Sequence, residues 1–230
     1  RHTRCLSDWS SDVCSSDLGQ DCCARSRLLV QESIYEKFMG FFESAVKKFK
    51  VENPANESSE MGPLVSAQHL ARVKEYVAED AAVAFRGNKP DGNGYWYPPT
   101  VLEVKDVNDR TYREEIFGPV LCVIRVPDMA SAIELINSHE YGNGVALFTS
   151  DGNTAREFSR RIEVGMVGIN VPIPVPMAWH SFGGWKRSLF GDTHIYGEEG
   201  VRFYTRYKSI MQRWPESISK GAEFTMPVAK

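Results

Sequence analysis

Between residues 19 and 170 the apolar positions follow two alternating patterns. RLLVQ (27–31) is a short apolar run, and Ile34, Phe38, Phe41, Ala45 and Phe49 then recur at spacings of three and four. The first predicts a strand and the second an amphipathic helix. Ser66 is placed to cap a further helix whose Leu70, Val73 and Val77 share one face. Residues 81–86 read as a strand, and PDGNG (90–94) is dense turn chemistry before the aromatic run Tyr95 to Tyr97, where Pro98 and Pro99 restrict pairing to an edge. PVLCVIRV (119–126) predicts a strand buried on both faces. Asp128 then caps a helix carrying Ala132, Ile133 and Ile136. Residues 144–150 (strand), 154–161 (helix) and 164–170 (strand) continue the alternation. The class is α/β, with a mostly parallel sheet and helical crossovers.

The alternation stops at VPIPVP (171–176), whose prolines withhold ladder donors and favour an extended surface loop. A segment with Gly183, Gly184, Gly191, Gly197 and Gly200 follows, then an apolar stretch, Val201 to Tyr204, read as a C-terminal helix. A strand is expected over Lys208 to Trp214, with a polar, extended tail beyond it. Residues 1–18 have no apolar period. They are rich in Ser and Asp, with the partial echo SDWS and SSDVCSSDL, and resemble translated adapter sequence. They are expected to pack on nothing, which divides the chain into a tail (1–18), a catalytic unit (19–200) and a C-terminal unit (201–230).

Composition narrows the function classes. The 230 residues are 42% hydrophobic and 25% charged, as in globular proteins. Lys and Arg total 27 against 30 Asp and Glu, a net charge of −3, so no cation excess exists to neutralise a nucleic-acid backbone. Apolar runs such as Val120 to Ile124 fall short of the roughly 20 residues needed to cross a bilayer. The five cysteines form no metal-type pattern with histidine, and their odd number suits a reducing, cytoplasmic setting.

Three segments carry candidate chemistry. GQDCCARSR (19–27) sets thiols in a turn before a buried strand; a nucleophilic thiol needs exposure, a backbone N–H for an oxyanion, and help to ionise. EEIFGPV (114–120) puts carboxylates and an aromatic at a strand entrance, suited to a ribose and a flat ring. HSFGGWKRSLFGD (180–192) offers Phe182 as a pocket wall and glycines that admit close backbone approach. Each alone also reads as ordinary structure: core cysteines, an acidic turn, a glycine-rich surface loop.

In this order and spacing, the three segments resemble the aldehyde dehydrogenase superfamily over residues 19–214, the half that begins at the nucleophile. The resemblance implies that Cys22, not Cys23, is the nucleophile, that Glu115 holds the nicotinamide ribose of NAD or NADP, and that Phe117 lies beside the nicotinamide. It places Asn170 and Phe182 near the substrate funnel. It also implies a homo-oligomer joined through the Lys208 to Trp214 strand. The family's second oxyanion donor, its general base and its phosphate-binding helix precede the cysteine, so this chain is expected to be a fragment that is inactive alone.

The later half, VPIPVP above all, resembles the coenzyme-A-acylating methylmalonate-semialdehyde dehydrogenases, whereas GQDCCARSRLLVQESIYEKFM looks more like aminobutyraldehyde or betaine-aldehyde dehydrogenases. Asp21 would repel an acidic semialdehyde. A chimera joined near EEIFGPV is one expectation. The expected reaction is oxidation of a semialdehyde through a Cys22 thioester passed to coenzyme A. The alternatives are a hydrolytic relative, a noncatalytic oligomerisation partner, and a cysteine hydrolase using His180 or His194, which lack a triad context.

Overall fold

The computed structural model describes residues 18–77, 81–177, 179–212 and 214. Its main sheet has four strands in the order β1 (Arg27–Gln31), β4 (Val120–Val126), β3 (Thr100–Glu103), β2 (Val83–Arg86). β4 is parallel to both β1 and β3, in register Arg27 with Cys122 and Thr100 with Val120. β2 runs antiparallel at the edge. A two-stranded parallel sheet joins β6 (Gly144–Leu147) to β7 (Met166–Ile169), and a short antiparallel pair joins β5 (Tyr141–Gly142) to β8 (Trp185–Lys186). The α/β class and its mostly parallel pairing are as the apolar pattern requires.

β4 is the hinge of the packing. Cys122 and Ile124 face one core with Leu64, Val73, Tyr112 and Ile116, while Val123 faces a second with Val30, Tyr35, Phe85 and Val101. That second core is closed by Phe38, Phe42 and Val46 of helix α1 (Tyr35–Lys48). Arg125, on the same face as Val123, emerges at its rim, stacks over the Tyr35 ring at 3.9 Å and pairs with Glu36 at 2.7 Å. Ser66 caps α2 (Ala67–Tyr76) by accepting the His69 N–H, as its position predicts. The short α3 (Arg110–Arg113) precedes β4, and Asp128 caps α4 (Met129–Ser138) from the Ser131 N–H. A third core joins Ile133 of α4 to Phe158 of α5 (Gly152–Arg161), Ile162 and Val164, against β6 and β7.

Three expectations change. The prolines do not relegate their neighbourhood to an edge: Tyr95 to Tyr97 form no strand, and the ladder opens at Thr100 immediately after Pro99, inside the sheet. Pro99 needs no donor there, because it contributes only its carbonyl, which accepts the Gly87 N–H at 2.8 Å. Leu18, assigned to the excluded tail, is buried in the first core, so packing starts earlier than the apolar period suggests; residues 1–17 lie outside the described residues. The apolar stretch at 201–204 ends helix α6 (Glu198–Tyr204), but 208–212 and 214 carry no strand. A strand without a partner has no ladder, and Tyr207, Met211 and Trp214 stand almost fully exposed. Arg213 and residues 215–230 lie outside the described residues.

Candidate active site

The turn bearing the thiols starts at Gly19, with φ +70°. A β-carbon there would stand 2.3 Å from the Gly118 carbonyl oxygen, so only glycine lets this turn lie against the segment that follows Phe117. The Gln20 side chain accepts the Val65 N–H at 3.2 Å, and Asp21 accepts the Cys23 N–H at 3.3 Å. Sequence positions 19 and 118 thus become neighbours.

Cys22 is exposed and Cys23 half-buried, with their sulfurs 3.7 Å apart. Partial desolvation, reinforced by the Asp21 charge and opposed by a hydrogen bond from Cys23, holds the Cys22 thiol above its ordinary value. Burial pushes Cys23 up to about 12, and Cys122, whose sulfur donates to the Thr111 carbonyl at 3.1 Å, up to about 11. Cys22 is therefore the accessible thiol, and at neutral pH it needs a base to ionise. Its thiol hydrogen-bonds with Cys23; neither His180 nor His194 reaches it among the described contacts. Asp21, Cys22 and Cys23 also bring three ligand-type atoms within 4.8 Å, but on one turn of consecutive residues.

The two neighbouring glutamates have different surroundings. Glu114 accepts the Tyr76 hydroxyl at 2.6 Å and the Arg110 Nε–H at 3.2 Å, and these bonds hold its carboxyl below the usual range. Glu115 is exposed, and its carboxylate has no partner among the described residues. Arg27 anchors this stretch by donating to the Tyr112 and Glu114 carbonyls. Phe117 is half-buried and sits at φ +58°, a strained conformation for a residue with a side chain. His69 holds it there through a 2.6 Å hydrogen bond with the Phe117 carbonyl.

Asn170 and Phe182 have structural contacts of their own. Asn170, at φ +57°, uses its side-chain oxygen to accept the Thr149 N–H and its amide to donate to the Thr149 carbonyl, each at 2.9 Å. That bracket ties the end of β7 to the end of β6, so its amide is already committed. Phe182 is half-buried and stacks on Tyr196, with ring centroids 5.4 Å apart. Two residues on, Gly184 lies against Asn143, whose amide donates to the Cys22 carbonyl at 2.7 Å. The glycine-rich segment reaches the thiol turn through this asparagine, which the sequence reading misses.

The sequence reading also misses Lys186. Its ammonium donates to the carbonyls of Ile136, Asn137 and His139 at the end of α4, fixing β8 and hence the glycine-rich segment. No local motif marks Asn143, His69 or Lys186, because each acts on backbone far away in sequence.

Comparison with known proteins bears on the family. Residues 9–210 match the aldehyde dehydrogenase family. Malonate-semialdehyde dehydrogenase of Pseudomonas aeruginosa is 45% identical over 219 residues, 91% of this chain and 44% of that protein. Among solved structures, methylmalonate-semialdehyde dehydrogenase of Oceanimonas doudoroffii matches with a TM-score of 0.82 at 42% identity, over 89% of this chain and 44% of that one. Betaine aldehyde dehydrogenase of Staphylococcus aureus in complex with NAD+ matches with a TM-score of 0.74 at 33% identity, over 86% and 41%. The chain spans less than half the length of these relatives.

Proposed function

Because this chain belongs to the aldehyde dehydrogenase family, we propose that it supplies the nucleophile and part of the nicotinamide site of an NAD(P)-dependent semialdehyde dehydrogenase that passes its acyl group to coenzyme A. The observation that carries this reading is the seating of the exposed Cys22 turn, through Gly19 and Gly118, against the segment bearing Glu115 and Phe117.

The residues present fit a nicotinamide cofactor. Glu115 presents an uncommitted carboxylate suited to accept ribose hydroxyls, and Phe117 is fixed beside it by His69. When bound, the cofactor accepts the hydride that leaves the substrate carbon.

The Cys22 thiol gives its proton to a base and its sulfur attacks the aldehyde carbon, forming a thiohemiacetal whose oxygen becomes anionic. The Cys22 N–H has no acceptor among the described residues and is available to that oxygen. Loss of hydride leaves a thioester on Cys22. The thiol of coenzyme A then takes the acyl group and Cys22 regains its proton. Partial burial and the Asp21 charge hold the Cys22 thiol up, so its ionisation at neutral pH depends on a base.

Hydrolysis of the thioester is the second reading, favoured by the likeness to betaine aldehyde dehydrogenase. The test is to fuse the N-terminal half of a methylmalonate-semialdehyde dehydrogenase ahead of Gly19 and follow nicotinamide reduction with a semialdehyde. Turnover that requires coenzyme A supports acylation. Turnover indifferent to coenzyme A selects hydrolysis, and activity that survives Cys22→Ala overturns both.

A further inference from the structure

We propose that Asn143 is a positioning residue for the nucleophile, clamping the Cys22–Cys23 peptide from a segment 121 residues away in the chain.

Asn143 lies between the short strands β5 and β6, and its own carbonyl accepts the Met166 N–H at 3.1 Å. Its backbone is therefore tied to the β6–β7 sheet. Its side-chain amide donates to the Cys22 carbonyl at 2.7 Å, a short bond by the standard of neutral N–H donors. On its other flank, a β-carbon on Gly184 would fall 2.9 Å from the Asn143 α-carbon and 3.1 Å from its side-chain oxygen. Glycine at 184 thus makes the room in which this side chain sits. β8, immediately after Gly184, is held by the Lys186 contacts to the end of α4 and by pairing with β5.

The carbonyl of Cys22 and the N–H of Cys23 belong to one planar peptide. Asn143 holds the first and the Asp21 carboxylate the second, so both ends of that plane are fixed. The orientation of the plane sets where the Cys22 side chain points. A thiol that must meet a carbon held by other parts of a site benefits from this restriction, because misplacement of reacting atoms by about 1 Å is costly in rate. The inference rests on Cys22 as the nucleophile for its functional meaning, but the clamp itself is testable without turnover.

The experiment uses this chain and measures the rate of iodoacetamide alkylation at Cys22 and Cys122, residue by residue, from neutral to alkaline pH. The titratable groups acting on the Cys22 thiol are Asp21 and Cys23 from its own turn, while Asn143, a neutral amide, bonds the Cys22 carbonyl and favours the ionised form of the neighbouring Cys23. Asn143→Ala frees the turn and hydrates the thiol, so the midpoint of the Cys22 profile moves down and labelling at mildly alkaline pH speeds up about threefold, the change in thiolate fraction for roughly half a pH unit. Cys122 remains protected. Asn143→Asp keeps the shape, removes the donor and adds a carboxylate, so the Cys22 midpoint moves up. A Cys22 midpoint unchanged in either variant overturns the proposal. So does a parallel rise at Cys22 and Cys122, which marks general loosening. Cys22 being dispensable for turnover of the fused enzyme would instead remove the proposed function and leave the clamp standing.

Discussion

At the scale of single residues, three thiols of one chemistry are sorted by their surroundings. Cys122 is fully buried with its sulfur on a carbonyl, Cys23 is half-buried, and Cys22 meets solvent. All three lie above the ordinary thiol value, Cys22 with the least burial. Exposure separates them, with Cys22 open to solvent and Cys122 sealed in the core, and alkylation mapping of the folded chain is expected to label Cys22 first and Cys122 last, with the Cys22 rate still climbing above pH 9.0, the ordinary thiol value. Preferential labelling of Cys122 would contradict the assignment of the nucleophile. The two glutamates show how far residue type alone can be read. Both are carboxylates in EEIFGPV, and only the Tyr76 and Arg110 contacts reveal that Glu114 is spent on structure, while the Glu115 carboxylate has no hydrogen-bond partner among the described residues.

Elements add a second level of control. The last carbonyls of α4 gather on the Lys186 ammonium, which neutralises the negative helix end and ties β8 to it. Lys186→Met keeps the stem and removes the charge. It is expected to destabilise the chain by about 1–2 kcal/mol in urea titration, the scale of charged hydrogen bonds at a helix end. His139, just past α4, lies edge-on to Tyr112 at 5.5 Å, and its Nδ1 accepts the Tyr141 N–H, so the folded ring is neutral at that nitrogen. Burial first, then the Arg27 charge, pulls it below its ordinary 6.5. Below that value the unfolded chain binds the proton that the folded chain refuses, so stability is full above pH 6.5 and falls as pH drops toward the folded value. Chemical denaturation across mildly acid pH should show this slope, and His139→Gln should flatten it.

For the whole molecule, the chain's coverage of under half of its relatives gives the exposed surface a context. Assayed by themselves, these 230 residues are expected to reduce neither NAD nor NADP with any aldehyde; nicotinamide reduction by this chain alone would overturn that expectation. The exposed Tyr207, Ile210, Met211 and Trp214 suit pairing with a second copy. Concentration-dependent association that disappears on truncation after Thr205 would support it. The mixed resemblance is testable by fusion as well. With an upstream half from a methylmalonate-semialdehyde dehydrogenase, replacing residues 19–113 by that enzyme's own segment should improve turnover of an acidic semialdehyde about fivefold, since Asp21 repels a carboxylate by about 1 kcal/mol at partly screened distance. Equal activities would mean that Asp21 does not govern the substrate.

Sequence by itself determined what depends on near neighbours. The period of apolar residues gave β1, β4 and the helices after Ser66 and Asp128, since burial and capping are local demands that side-chain spacing records. The resemblance carried by the three motifs implied, beyond that, Cys22, Glu115 and Phe117 as site residues, which stand as proposals. Tertiary structure decided what depends on distant partners: that β3 is interior, that Leu18 is core, that Asn170 braces Thr149, and that Asn143 reaches the Cys22 turn. Leu18 is core through apolar packing against distant residues, and the others follow from hydrogen bonds to backbone atoms, which every residue carries alike, so no letter in the sequence announces which carbonyl an amide will find.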